Sequence, residues 1–189
     1  MTTTMKPELL PVSDPDFAGR VQIRILRASD VDAMCAAYVR NREHLAPWEP
    51  VRDEEFFTTD GQLASVHSKL ALFIAGSAVP WVLTDGDTIV GLMTLSGIVR
   101  GPFLSAHLGY WIDKDYNGHG IGTAAVAFAL RAARDELGLH RLQAATLLHN
   151  TASQTILKRC GFTEIGMAPD YLNIAGGWQD HLLFQNILY

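Results

Sequence analysis

The stretch Tyr110–Thr123, Tyr-Trp-Ile-Asp-Lys-Asp-Tyr-Asn-Gly-His-Gly-Ile-Gly-Thr, constrains this chain more than any other. It passes from an apolar strand pattern (Ala106–Ile112) through a short polar turn to Gly118, Gly120 and Gly122, and then enters an alanine-rich helical run. Glycines at alternate positions remove Cβ atoms, so consecutive N–H groups can point at one ligand, and the helix that follows adds its positive dipole end. This predicts an anion seat that fits a pyrophosphate. A dinucleotide-binding turn would need GxGxxG spacing with an acidic residue about twenty positions on, where this chain has Gly138 and Leu139. A P-loop would need Gly-Lys-Ser/Thr, and Ile121-Gly122-Thr123 brings no lysine. On glycine spacing alone, the plain alternative is a turn that only reverses the chain.

Around this stretch the pattern is that of an α/β protein. Residues 1–19, with Pro7, Pro11 and Pro15, read as a flexible leader, and 20–189 as one domain. Val21–Ile25 alternates as a half-exposed strand, and Ser29 or Asp30 caps a helix from Val31 to about Glu43. Pro47 and Pro50 forbid a helix through the next segment, which holds Trp48 and Glu49. Asp60–Gly76 has helical spacing. Pro80–Leu83 and Thr88–Ser96 form a hairpin about Asp85-Gly86-Asp87, and Gly97–Pro102 is a loop carrying Arg100. A helix over 121–137 stops at Gly138, strand 141–148 follows, and His149–Ser153 opens another helix. Phe162–Gly166, Tyr171–Ile174 and His181–Leu188 read as separate strands. The predicted architecture is a mixed sheet whose parallel part joins 106–112 to 141–148 through the intervening helix.

Composition narrows the function classes. At 189 residues and 48% hydrophobic the chain can bury a core without staples, and a net charge of −5 argues against a nucleic-acid groove. Cys35 and Cys160 lack metal or redox spacing, the seven histidines show no zincin pattern, and no metal is implied. The N-terminus has no signal-peptide core, and Ala124–Leu130 is too short to span a membrane. The expectation is a cytoplasmic protein without a membrane partner, monomeric or homodimeric.

Asn117, Gly120 and Gly122 stand where the GNAT acyltransferases carry their coenzyme A loop, Gln/Arg-x-x-Gly-x-Gly/Ala, and the glycine stretch resembles it apart from Asn117. Asn150-Thr151-Ala152-Ser153 leading to Gly161-Phe162 resembles the family's second motif. Asn41–Asp53, Val99-Arg100-Gly101, Leu108-Gly109-Tyr110, Asp170-Tyr171-Leu172 and Gly177–His181 are similar to the branch of RimJ-like ribosomal-protein alanine N-acetyltransferases. The resemblance implies a sheet splayed between strands 106–112 and 141–148, with acetyl-CoA in the opening. Amides of Tyr110, Trp111 and Ile112 would bind the pantetheine arm and polarise the thioester carbonyl. Asn117, Gly118, His119, Gly120, Ile121, Gly122 and Thr123 would hold the pyrophosphate, and Asn150 with Ser153 would face the sulfur.

The resemblance implies direct acetyl transfer to a protein N-terminus, with a ribosomal protein as one such partner. An α-amine of pKa ~7.8 is about one-tenth neutral at pH 7, against well under one-thousandth for a lysine at ~10.4, so a modest base suffices. Many family members protonate the leaving thiolate with a tyrosine seven residues after the motif asparagine, and here that position is Leu157. Ser153 is the first candidate acid, and Glu49, Asp170, Tyr171 and His149 are candidate bases. Trp48, Glu49, Arg100 and Tyr171 are candidate acceptor-binding residues. Two alternatives stand beside this one: acetylation of a small amine, and an acyl-CoA-binding assembly or regulatory protein without catalysis.

Overall fold

The computed structural model describes residues 5–189. Eight strands form one mixed sheet in the order β1-β2-β3-β4-β5-β6-β8-β7, with five α-helices. In chain order these are β1 (Glu8–Leu9), β2 (Val21–Ile25), α1 (Val31–Arg40), α2 (Arg42–Leu45) and α3 (Thr59–Ile74). They continue with β3 (Val79–Asp85), β4 (Thr88–Val99), β5 (Ser105–Ile112) and α4 (Ile121–Asp135). β6 (Arg141–Leu147), α5 (Thr151–Arg159), β7 (Thr163–Ile174) and β8 (Gly177–Ile187) complete the fold.

Period-two patterning sends side chains to two cores. Trp81 and Leu83 of β3 pack with the helix α4, whose Ala125, Ala129, Ala132 and Ala133 let its axis lie close to the sheet. Val82, on the opposite face, joins Met34 and Tyr38 of α1 and Val66 of α3. β3 is therefore apolar on both faces, as a central strand must be.

The break in the sheet positions the site. β5 pairs with β4 as far as Ile112, yet it pairs with β6 only at Ser105–His107 against Arg141–Gln143. β6 instead keeps β8 as partner along its whole length. Below the gap, the Leu104 carbonyl accepts from the N–H groups of His140 and Arg141, at 2.8 and 3.1 Å, and closes the base. The expected splay is present. It leaves the second half of β5 without a neighbour on that edge.

Several expectations change. The segment before β2 is not a loose leader over the residues described, and residues 1–4 lie outside them. Glu8–Leu9 pairs with β2, and Met5, Leu10 and Val12 are buried in the α4-side core. Prolines removed the periodic signal here, but they are tolerated in an edge strand and its approach. The helix predicted to Glu43 breaks at Asn41, whose amide is taken into a buried polar cluster. Asp30 stands at the helix start without capping it, because its carboxylate accepts from Arg24 and from the Arg27 N–H. The strands predicted at 162–166 and 171–174 are one strand, β7, with an irregularity between Ala168 and Leu172. Within it Asp170 takes a positive φ of 48° and its N–H donates to Asp180 Oδ1.

The polar cluster at Asn41 ties the end of β5 to α1. Asp113 is fully buried and accepts from Arg40 Nε, Asn41 Nδ2 and the Asp115 N–H, while Asn41 Oδ1 accepts from the Lys114 N–H. Burial alone pushes the Asp113 carboxyl up, but those donors outweigh it and hold it below the ordinary carboxylate value. Its contribution is therefore complete above the unfolded-state pKa and is lost as pH falls through the folded one. Asp113→Ala removes the carboxylate that Arg40 Nε and Asn41 Nδ2 share, leaving Arg40 only the Ile89 carbonyl and Asn41 Nδ2 only the Ala37 carbonyl, and is expected to cost about 3 kcal/mol in urea unfolding at pH 7. The difference from wild type should shrink below the usual carboxylate range, and a loss that persists unchanged in strong acid would contradict the assignment.

Candidate active site

The opening between β5 and β6 holds a cavity of about 490 Å3. Its walls include Tyr110, Trp111 and Ile112 of β5, Asn117, Gly118, Gly120, Gly122 and Thr123 of the glycine loop, and Asn150 and Ser153 at the start of α5. Trp48 and Glu49 also line it. Thus the two prolines that break the chain after α2 deliver Trp48 and Glu49 to the same cleft as the glycines.

Two of the three loop glycines adopt conformations that favour glycine. Gly118 and Gly120 adopt φ of +87° and +80°, and a Cβ at either would meet no atom within 4 Å, so the backbone faces open space. Gly122 serves a different purpose, because a Cβ there would lie 2.9 Å from Ile156 Cδ1, where α4 and α5 approach each other. Asn117, in the place of the family's Gln or Arg, secures the loop locally: its Nδ2 donates to the Ile112 carbonyl at 3.4 Å and contacts His44 Nε2 at 3.2 Å. Ile121 is buried in the core and does not line the cavity.

His119 also points away from the cavity. Its Nδ1 is 2.7 Å from Asp14 Oδ2, and its ring lies 4.3 Å from that of Phe17. Phe17 in turn meets the edge of Tyr116, and the Arg20 guanidinium stands over its ring. The residues read as a leader therefore brace the glycine loop from outside. The hydrogen bond from His119, with that from the Asp16 N–H, draws the Asp14 carboxyl below its ordinary value.

On the α5 side of the cavity, Asn150 caps α5 by accepting from the Ser153 N–H at 3.1 Å, and Ser153 Oγ lies 3.0 Å from the Tyr110 hydroxyl. The Tyr110 phenol is pushed up to about 12, chiefly by burial. Leu157 is fully buried in the core and carries no chemistry. Glu49 lies 3.5 Å from the Arg52 guanidinium, and burial raises its carboxyl above the ordinary value against the pull of Arg52 and Lys69. The neighbouring Lys69 is lowered, first by burial and then by Arg52.

Other candidates fall outside the cavity lining. His149 reaches its rim, with its ring 5.3 Å from that of Trp48. Tyr171 leans on His181 at 5.6 Å, and Asp170 sits exposed in the β7 irregularity. Arg100 lies by the opposite end of β5, where its guanidinium donates to the Leu137 carbonyl beyond α4. From there to Ile112 the strand alone runs ~25 Å, so Arg100 is not at this site. Sequence reasoning did not single out His44, Leu45, Tyr116 or Arg159, which also line the cavity. Arg159 closes α5 four positions after Thr155, another lining residue; that helical spacing on the Asn150 motif was the one available signal.

A family model described as the acetyltransferase (GNAT) domain matches residues 20–163. The chain belongs to the GNAT acetyltransferases. This GNAT enzyme is 36% identical over 166 residues to the [Ribosomal protein uS5]-alanine N-acetyltransferase of Escherichia coli, covering 87% of this chain and 86% of that one. Its fold matches the ribosomal-protein-S5-alanine acetyltransferase of Vibrio fischeri with a TM-score of 0.85 at 36% identity, over 89% and 93% of the two chains. Mycobacterium smegmatis RimJ, solved in complex with CoA-disulfide, matches with a TM-score of 0.85 at 31% identity, over 88% and 81%. The chain is thus an enzyme of acetyl transfer. Among the described residues no helix is long and apolar enough to cross a membrane, and no three metal-ligating side chains cluster.

If Asp14 and Phe17 hold the glycine loop in shape, loosening them weakens the anion seat without touching it. His119→Ala is expected to raise the Kd for coenzyme A about fivefold in calorimetric titration, the worth of one ordinary hydrogen bond. Asp14→Ala should do the same, and the double variant no more than either alone. An unchanged Kd in both would remove the bracing role.

Proposed function

We propose that this enzyme binds acetyl-CoA in the β5–β6 opening and transfers the acetyl group to the α-amine of a protein N-terminus. What supports this reading is one cleft lined both by the glycine loop and by a half-buried carboxylate, Glu49, whose pKa is raised. Acetyl-CoA supplies an acyl thioester that an amine attacks directly.

Each part of the cleft has a task. The amides of Asn117–Thr123, with Arg159 beside them, hold the pyrophosphate. The unpaired edge of β5 at residues 110–112 holds the pantetheine arm and polarises the thioester carbonyl as it gains negative charge. Glu49 receives the proton given up by the attacking nitrogen, through one water, and its raised pKa brings it closer to working pH than an exposed glutamate. Ser153 Oγ donates to the sulfur as the C–S bond breaks.

The surroundings of Glu49 favour a polypeptide acceptor. The Ala175 N–H on the β7–β8 turn donates to the Glu49 carbonyl at 3.0 Å, so this turn and the Trp48–Val51 loop form one rim. Val51 on that loop and Trp178 just after that turn are apolar and exposed, 72% and 64%. The relatives named above act on a ribosomal-protein alanine, the same class of acceptor.

Acetyl-CoA assays with matched peptides test this reading. A peptide with a free N-terminal alanine is expected to be acetylated at its α-amine. The same peptide blocked at the N-terminus but bearing lysine should not be, and turnover confined to the blocked peptide or to small amines would refute the proposal. Glu49→Gln is expected to lower kcat/KM about 100-fold. For the wild type kcat/KM falls as pH drops through the Glu49 pKa, since the protonated carboxyl accepts nothing. The variant should keep only the inflection of the acceptor amine, near ~7.8.

A further inference from the structure

Tyr110 enters the account so far through its backbone, but its side chain is placed for a second task. Among the described residues its hydroxyl makes one hydrogen bond, to Ser153 Oγ at 3.0 Å, across the cleft from β5 to the first turn of α5. Both residues line the cavity. We propose that Tyr110 is the positioning residue for Ser153: its O–H donates to Ser153 Oγ and thereby turns the seryl proton toward the leaving sulfur. This rests on the reading of Ser153 as the group that meets the sulfur.

The direction of the bond follows from acidity. A phenol is the stronger acid and the better donor, and an alkyl hydroxyl oxygen is the better acceptor, so at 3.0 Å the tyrosyl O–H donates and Ser153 Oγ accepts. Ser153 opens onto the cleft and loses nothing by accepting. Its Oγ then has one lone pair occupied by Tyr110, while its backbone N–H is fixed by Asn150 Oδ1. With Tyr110 occupying that lone pair and the backbone held in place, the seryl O–H is free to point into the cavity that both residues line. The phenol, held well above neutral pH, remains a donor across the working range. In the transfer the C–S bond breaks with its electron pair on sulfur and the Ser153 O–H donates to that sulfur. Ser153 stabilises that thiolate by a hydrogen bond and keeps its own proton. The proton lost by the attacking nitrogen passes to Glu49 through water, Glu49 returns it to solvent, and the thiolate takes one proton from solvent, so charge and protons balance. A strand tyrosine paired with a helix serine thus meets the thiolate that Leu157 cannot protonate.

Three variants of the full chain decide the matter: Tyr110→Phe, Ser153→Ala and both together, assayed with acetyl-CoA and an alanine-terminated peptide. Tyr110→Phe is expected to lower kcat about tenfold while KM for acetyl-CoA, the calorimetric Kd for coenzyme A and the thermal midpoint change little. The double variant should be no slower than Ser153→Ala alone, because a positioning residue has no effect once its target is gone. Wild-type kcat in Tyr110→Phe, losses that multiply in the double variant, or a raised Kd with a lowered thermal midpoint would each overturn the proposal. Acetyl transfer by the wild type tests the function itself, and only the ratios between variants test Tyr110. A wild type that moves no acetyl defeats both.

Discussion

Where β5 and β6 part, a parallel ladder stops after the pairs at Ser105–His107. The cost is a run of main-chain groups without strand partners, and a folded protein tolerates that only where something else meets them. On the protein side the Ile112 carbonyl is met by Asn117 and His44. The cavity takes the rest of the edge. The same gap brings the start of α4 and the start of α5 to one opening, so their N-terminal amides converge with the strand edge. In the proposed function, binding and carbonyl polarisation both draw on that one unmade set of hydrogen bonds.

A gap in a sheet is useful only if its walls do not close or drift. Below it, the Leu104 carbonyl is gripped by two N–H groups, and Leu188 N–H bonds to the His140 carbonyl. Above it, Asp113 ties the end of β5 to Arg40 and Asn41, and so to the segment that carries Trp48 and Glu49. On the outer side, Asp14 and Phe17 brace His119 between the two left-handed glycines. The cleft is framed by contacts between segments as much as 105 residues apart.

That distance explains what the sequence could disclose. Features written in neighbouring residues were legible: the alternation of Val21–Ile25, the helical spacing of α3, the glycine turn before α4, and the opening of a helix at His149–Ser153. Pairings between remote segments were not. Nothing local joins Tyr110 to Ser153, Asp14 to His119, or Arg40 to Asp113. Arg100 was misplaced because a turn's sequence does not say which end of the sheet it occupies. Pro169 and Asp170 concealed the continuity of β7, since a chain irregularity and a chain break share the same residues. Trp48 and Glu49 were recognised as loop residues near an acceptor, but their meeting with the glycine loop depends on α1 lying across the sheet.

The central claim is that the free edge of β5 and the amides of the glycine loop together hold coenzyme A. Amide hydrogen exchange, followed by mass spectrometry with and without saturating coenzyme A, measures those groups directly. The account predicts slower exchange concentrated in peptides covering residues 108–123 and the start of α5, with β2 and β3 unchanged. Binding that protected some other surface and left 108–123 exchanging at the free rate would contradict it.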